Sequence, residues 1–417
     1  MYAPAAASAW TPEVNCSSWY TVANNRKAIS LMDFSVDPET QEKARATRQF
    51  CEKHIDPYVA NWDSGETIAT SVFEQMAALG LMSLRIPSEN GGESASFVEC
   101  GSLVYEIGRA DVGLALMVVN GVFFGEIMGL MTEPTRSRWA PRVAAGAPFA
   151  ITLTEPDAGS DAASIRTTAV RDGDHYVVNG EKGSVSYAGL AEFGLIFART
   201  GGPGAKGISI LATPWDAPGI DKRIYPSVGE RVTKRGQVFY TDLRIEAENL
   251  VGTENAGFRE AMQFFDYNRA FLTLACIGAA ERSLEEVSEH VRTRQAFGGP
   301  LARFQGVSFP IAEHLTRLEA AKLLAFKVLY LKDAGLPHSK EAAMIKWFGI
   351  KEAYEALHDC LLLAGWPAYS AELPHDRRMR DVMGLELGDG TSQIMKMVVA
   401  REVLGRESLP YGRVAPS

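Results

Sequence analysis

The spacing of apolar and polar positions changes period twice along the chain. Across about 37–148 the pattern is mostly helical. Residues 72–84 are apolar with few breakers, until Pro87 and Gly91-Gly92 stop the run. Residues 103–130 lack proline and are too apolar for a surface helix, which predicts buried helices. Across about 149–255 the pattern becomes that of strands and turns. Residues 167–170 and 175–179 flank Asp172-Gly173 and predict a hairpin. Residues 195–198 and 208–212 flank Gly201-Gly202-Pro203-Gly204 as a second strand–loop–strand unit. Short strands between Gly-rich turns imply a small β-barrel or sandwich. Across 257–404 helical spacing returns: Trp347, Ile350, Tyr354, Leu357 and Leu361 step by three and four residues, as do Ile311, Leu315 and Leu318. Long amphipathic helices with short loops, such as 333–338, predict a helical bundle.

The expected architecture is therefore α+β and multidomain. Residues 1–31 form an extension that is small, polar and expected to be poorly ordered, with Met32-Asp33-Phe34 as the start of the folded chain. An N-terminal helical domain (32–148), a central β-barrel (149–256) and a C-terminal four-helix bundle (257–417) follow.

Composition narrows the function. In 417 residues, 46% are hydrophobic and 22% charged, the profile of a soluble globular protein with a large core. A formal net charge of −9 argues against a nucleic-acid partner but leaves room for an anionic cofactor held by a few local donors. The five cysteines, Cys16, Cys51, Cys100, Cys276 and Cys360, are scattered and form no Cys-x-x-Cys pair. That suggests neither a metal site nor a disulfide framework, and a reducing cytoplasm is expected. No apolar run approaches the roughly 20 residues that cross a bilayer, so no membrane association is expected. Residues 1–31 do not read as a signal peptide.

Three segments carry candidate chemistry. Pro156 and Gly159, in Leu153-Thr154-Glu155-Pro156-Asp157-Ala158-Gly159-Ser160-Asp161, favour a tight turn whose N–H groups can face an anion. A plain surface turn is the alternative. Asp389-Gly390-Thr391 precedes a helix at 392–404, where Asp389 either favours the helix N-terminus or does chemistry. Asp266 and Arg269 are spaced as a helical ion pair.

The first segment also resembles the Thr-Glu-Pro-x-Ala-Gly-Ser-Asp signature of the acyl-CoA dehydrogenase family, and further matches follow in order. They are Leu79-Gly80 with Pro87-x-Glu89-x-Gly91-Gly92; Asn179-Gly180-Glu181-Lys182 with Val185-Ser186; and Asn249-Leu250-x-Gly252 with Gly257-Phe258. Arg294-x-x-Phe297-Gly298-x-x-Leu301-x-x-x-Gln305, and Arg380-Asp381 with Asp389-Gly390-Thr391-Ser392-Gln393-Ile394, complete the series. The resemblance spans about 32–404.

This resemblance implies an FAD enzyme. Thr154, with Leu153 beside it, is similar to the hydroxyl at the flavin pyrimidine end, and Ser186, with Val185, to the one facing N5. Ser160 would sit near cofactor and substrate phosphates. Arg294, Phe297, Gln305, Gly365, Thr391 and Gln393 resemble residues that reach the FAD of a neighbouring subunit, which implies a homotetramer built as a dimer of dimers. Asp266, Arg269 and Gly390 match substrate contacts. Asp389 stands where most relatives carry a Glu base. Asn268 stands where a second variant places its base, and Asn cannot take a proton at neutral pH.

The implied reaction is oxidation of an acyl-CoA or acyl-carrier-protein thioester to an enoyl product, with an electron-transfer flavoprotein or oxygen as acceptor. Departures from the family pattern point to an unusual substrate. Ser184 replaces an aromatic residue, Tyr187 an Asn and Gly388 a bulky aromatic, and Leu362-Leu363-Ala364-Gly365-Trp366 stands for Gln-x-x-Gly-Gly. Two alternatives remain: a nitroalkane oxidase-like enzyme with an Asp base, and a non-catalytic flavin-binding homologue.

Overall fold

The computed structural model describes residues 37–409, so the extension 1–31 and Met32-Asp33-Phe34 lie outside the described residues. Helix α1 (Pro38–His54) opens the described part, followed by α2 (Val59–Ser64), α3 (Thr70–Ala78), α4 (Phe97–Ala110), α5 (Val112–Ile127) and α6 (Glu133–Ala144). Among the described residues, every strand and every helix after α1 belongs to one compact unit that begins at Lys43. The apolar run at 72–84 is helical only to Ala78. Gly80 adopts φ 74° and turns the chain, while Leu81, Met82 and Leu84 stay buried without a helix.

Within 103–130 the helices are buried, as their composition requires, but they break at Asp111. Its carboxylate accepts the Leu114 N–H at 2.9 Å and so caps α5. Contrary to expectation, one stretch here, Val112–Leu130, is long and apolar enough to cross a bilayer. It is 83% buried inside the protein, as a core helix is.

The strands are β1 (Phe149–Thr152), β2 (Thr168–Asp172), β3 (His175–Val185), β4 (Phe193–Arg199), β5 (Ile208–Pro214), β6 (Ile220–Ile224), β7 (Gly236–Glu246) and β8 (Leu250–Val251). They form one eight-stranded sheet in the order β6-β7-β3-β2-β4-β5-β8, with β1 parallel to β4. Both expected strand–turn–strand units occur, β2–β3 and β4–β5, each antiparallel. No pairing joins β6 to β8 among the described residues, so the sheet has two ends where a barrel was expected. Stacked rings fasten it to the helices: Trp139 of α6 lies 4.4 Å from Phe193, which lies 4.9 Å from Phe149.

Helix α7 (Gly257–Thr293) runs for 37 residues, and α8 (Gln305–Asp333), α9 (Ser339–Ala364), α10 (His375–Leu387) and α11 (Ser392–Leu404) follow. The small strands β9 (Gln295–Ala296) and β10 (Gly299–Pro300) pair in the turn before α8. Helices α7, α8 and α9 pack on one another, and α10 and α11 lie against α9. Helices α4 and α7 touch backbone to backbone. A Cβ at Gly108 would stand 2.4 Å from the Ala275 Cα, and one at Gly278 would stand 2.5 Å from the Tyr105 carbonyl. Only glycine permits that approach.

Candidate active site

The signature turn is stapled to the end of β3. Buried Lys182 donates to the Leu153 carbonyl and to Glu155 Oε1, both at 2.9 Å. Burial pulls the Lys182 ammonium down to about 8, against the pull of Glu155. Burial also pushes the Glu155 carboxyl up, but the Lys182 cation and the Arg166 N–H outweigh it and hold it below its ordinary value. Gly183 N–H donates to the Thr154 carbonyl at 2.9 Å. Hence 153–155 and 182–186 are neighbours. A register shift between Lys182 and Val185, with positive φ at Ser184 (56°) and Tyr187 (62°), turns the strand end. Thr154 is exposed and Ser186 half-buried, and neither hydroxyl has a hydrogen-bond partner among the described residues. Ser160 and Gly159 are exposed at the open side of the turn.

Two replacements acquire partners that sequence did not reveal. Tyr187 is buried, and its hydroxyl donates to the Gly113 carbonyl at 2.5 Å. Ser184 is met by Arg235, whose Nη1 donates to the Ser184 carbonyl at 3.1 Å and to its Oγ at 3.4 Å.

A second group of residues surrounds Asp389. This residue has φ 52° in the turn between α10 and α11. Asn268 Nδ2 lies 3.5 Å from its Oδ2, and Arg269 Nε lies 3.4 Å from its carbonyl. Arg269 also donates to Asp266 Oδ1 at 2.6 Å, while Ser339 donates to Asp266 Oδ2. Arg269 is 9% exposed, so the pair is not the surface ion pair its spacing allowed. Nor does Asp389 cap α11: the Thr391 hydroxyl accepts the Ile394 N–H at 3.4 Å, which frees Asp389 for another role.

Lys346 is the residue sequence reasoning missed here. Its Nζ stands 2.7 Å from the carbonyls of both Leu385 and Gly390, clamping the two sides of the turn. It is 1% exposed, and burial pulls its ammonium down to about 8, against the attraction of Asp389. A lysine inside the apolar run Ala342-Ala343-Met344-Ile345-Lys346 was the available signal.

The remaining candidates stand apart from both groups. Arg294, Gln305, Gly365 and Gln393 are exposed, and Phe297 is 95% exposed at φ 50°. Trp366 and Tyr369, beside Gly365, are each 83% exposed. No hydrogen bond or ring contact joins them to 153–160 or 184–187 among the described residues.

Family descriptions for the acyl-CoA dehydrogenase N-terminal, middle and C-terminal domains match residues 37–147, 150–243 and 255–404. The mitochondrial short-chain specific acyl-CoA dehydrogenase of Rattus norvegicus is 32% identical over 373 residues, 88% of this chain and 90% of that protein. The solved butyryl-CoA dehydrogenase of Megasphaera elsdenii is similar at TM-score 0.86 and 27% identity, over 89% of this chain and all (100%) of that one. A chain solved in work on the electron transferring flavoprotein of Acidaminococcus fermentans is similar at TM-score 0.86 and 29% identity, covering 89% of this chain and 100% of that one.

Proposed function

The chain belongs to the acyl-CoA dehydrogenase family, and on that premise we propose that it oxidises an acyl thioester with Asp389 as the base. Enzymes of this family are oxidoreductases that use FAD, and this chain is one of them. The residues present fit the cofactor: the unpartnered hydroxyls of Thr154 and Ser186 lie on adjoining segments, at a turned strand end with open space beside Gly159. Thr154 and Ser186, with Leu153 and Val185, would hold it, and Ser160 would serve its phosphates. Bound there, FAD supplies a hydride acceptor.

The protein's own part is to place and deprotonate the substrate. Asp389 takes a proton from the carbon next to the thioester carbonyl while the following carbon gives up a hydride to that acceptor, and the two losses together leave an enoyl product. Asn268 orients the carboxylate, and Lys346 fixes the turn that carries it. Asp266, Arg269 and Gly390 border this turn and hold the thioester. The observation that carries this reading is the state of the Asp389 carboxylate: tied by one long hydrogen bond, unused as a cap, and set in a clamped turn.

The exposed Arg294, Phe297, Gln305, Gly365 and Gln393, with Trp366, make no hydrogen bond or ring contact to 153–160 or 184–187 among the described residues. They support a homotetramer in which each subunit completes a neighbour's flavin site, Thr391 contributing from the start of α11. The acyl group rides on CoA or a carrier protein, and the electrons pass to an electron-transfer flavoprotein; the solved chain from the Acidaminococcus work supports that acceptor.

The test is anaerobic flavin bleaching by a panel of acyl-CoAs. Bleaching by wild type, and none by an Asp389→Asn variant that retains FAD, is the expected result. Full activity in the variant overturns the assignment. Oxygen consumption with a nitroalkane in place of bleaching moves the reading to an oxidase.

A further inference from the structure

The strand end that carries Ser186 faces a cation that the proposed oxidation does not use. Val185 of β3 pairs with Gly236 of β7 in antiparallel register, and the Tyr187 N–H donates to the Thr233 carbonyl at 2.7 Å. The two segments are thus joined on either side of Ser186. One step beyond the Val185–Gly236 pair, the residue across from Ser186 is Arg235. Its guanidinium is tied to the same strand end: Nη1 donates to the Ser184 carbonyl at 3.1 Å and to the Ser184 Oγ at 3.4 Å. Ser184 and Ser186, two residues apart, are separated by at most about 7 Å.

Glu230 holds the guanidinium in that place. It is 4% exposed, and its Oε2 pairs with Arg235 Nη2. Glu230 is itself anchored, because its N–H donates to Asp381 Oδ1 at 2.5 Å and its carbonyl accepts the Thr233 hydroxyl at 2.8 Å. The planar fork of Arg235 is therefore gripped by Ser184 on one arm and Glu230 on the other. One donor stays unspent: Arg235 Nε makes no hydrogen bond among the described residues, and the side chain is 19% exposed.

Two other cations belong to these segments, and both are turned to structural tasks. The Lys182 side chain is fully buried and matched by Glu155. Lys234 Nζ donates to the Gly65 carbonyl in the N-terminal part of the chain. Of the three, Arg235 alone combines a fixed position opposite Ser186 with open surface and a free donor. A flavin gains negative charge when it is reduced, and a cation fixed beside it favours the reduced state.

We propose that Arg235, held by Glu230, lies against the bound FAD and sets how readily that cofactor is reduced. This rests on the reading that Thr154 and Ser186 hold FAD, and it adds a charged residue to that site. Glu230 acts through Arg235 and is a positioning residue.

Two variants separate the cation from the fold. Glu230→Gln keeps Arg235, whereas Glu230→Gln with Arg235→Met removes it, and neither leaves a buried carboxylate without its partner. The midpoint potential of bound FAD is measured in each holoenzyme by anaerobic reductive titration against a reference dye. Reduction is expected to be roughly 10-fold or more less favourable in the double variant, which is about 30 mV for a two-electron couple. Arg235→Lys on the Glu230→Gln background should recover at least half of that shift, since it restores charge without the fork. Melting temperature and FAD content confirm that each variant is folded and loaded. Equal potentials in the single and double variants, or a lysine that recovers nothing, overturn the proposal. If the potentials coincide while Thr154→Ala with Ser186→Ala weakens FAD binding, only this inference fails. If that pair of substitutions leaves the affinity for FAD unchanged, the reading of the cofactor site fails with it.

Discussion

The Asn268 amide is the single side chain among the described residues that hydrogen-bonds the Asp389 carboxylate, and it does so at 3.5 Å. That distance is at the outer limit of a hydrogen bond, so the carboxylate is oriented without being consumed. Asp389→Asn is expected to lower turnover by roughly 100- to 10,000-fold, the range a positioned base contributes, with FAD content unchanged. Asn268→Ala is expected to lower kcat by about 10-fold at most, with KM nearly constant, because it disturbs orientation alone. Stopped-flow bleaching rates compare the two, and an Asn268→Ala loss as large as that of Asp389→Asn would contradict the division of roles.

Lengthening the base tests whether the pocket is built for the shorter acid. Asp389→Glu adds one methylene, and a misplacement of about 1 Å costs roughly 100-fold in rate. A variant faster than wild type on the preferred substrate would show that Asp389 is not matched to its pocket.

Lys346→Met removes a clamp and leaves the Leu385 and Gly390 carbonyls without their buried donor. Unsatisfied buried acceptors cost about 1–3 kcal/mol, so a lower melting temperature and lower kcat are expected together. The pH dependence has opposite signs for the two. Lys346 is pulled to about 8 by burial, below an unfolded value of roughly 10.4, so the unfolded state binds more protons between them and stability gains with rising pH. Catalysis weakens as pH rises through about 8, because the neutral amine holds the turn less firmly. The variant should lose that alkaline limb of kcat, and a limb that persists would point to another group.

Thr391→Ala removes the α11 cap and is expected to cost about 1 kcal/mol in urea denaturation. Asp389→Ala, which touches no cap, should change stability by less than about 0.5 kcal/mol. The reverse ranking would return Asp389 to a structural role.

Trp366→Ser with Tyr369→Ser removes two aromatic rings that are 83% exposed in the single chain. If they meet a neighbouring subunit, light scattering will find smaller particles, and the protein will release FAD more readily. An unchanged mass and FAD content would exclude that surface from assembly.

Much of the fold is legible in the sequence because local chemistry decides it. The hairpin at Asp172-Gly173, the loop 333–338 and the start of α11 follow from turn residues and helical period, and each lies where expected. Gly80 ends α3 earlier than the apolar run implies, because the residues beyond it are buried through tertiary contacts that have no period. The apolar length of 112–130 escapes a search for unbroken runs, since Asn120 and Glu126 interrupt the stretch without changing its average. In the site, Asp389, Asn268 and Arg269 lie together although about 120 residues separate the helix from the turn, a placement that the family motif implies and spacing cannot. The contact of Arg235 with Ser184 is invisible in the sequence, because a charged residue in a loop looks solvated until the fold places it.

The backbone contact of α4 with α7 at Gly108 and Gly278 has a further consequence. A helix pressed that closely cannot slide or roll by a fraction of an ångström without collision, so Asn268 and Arg269 serve as a fixed datum for the pocket.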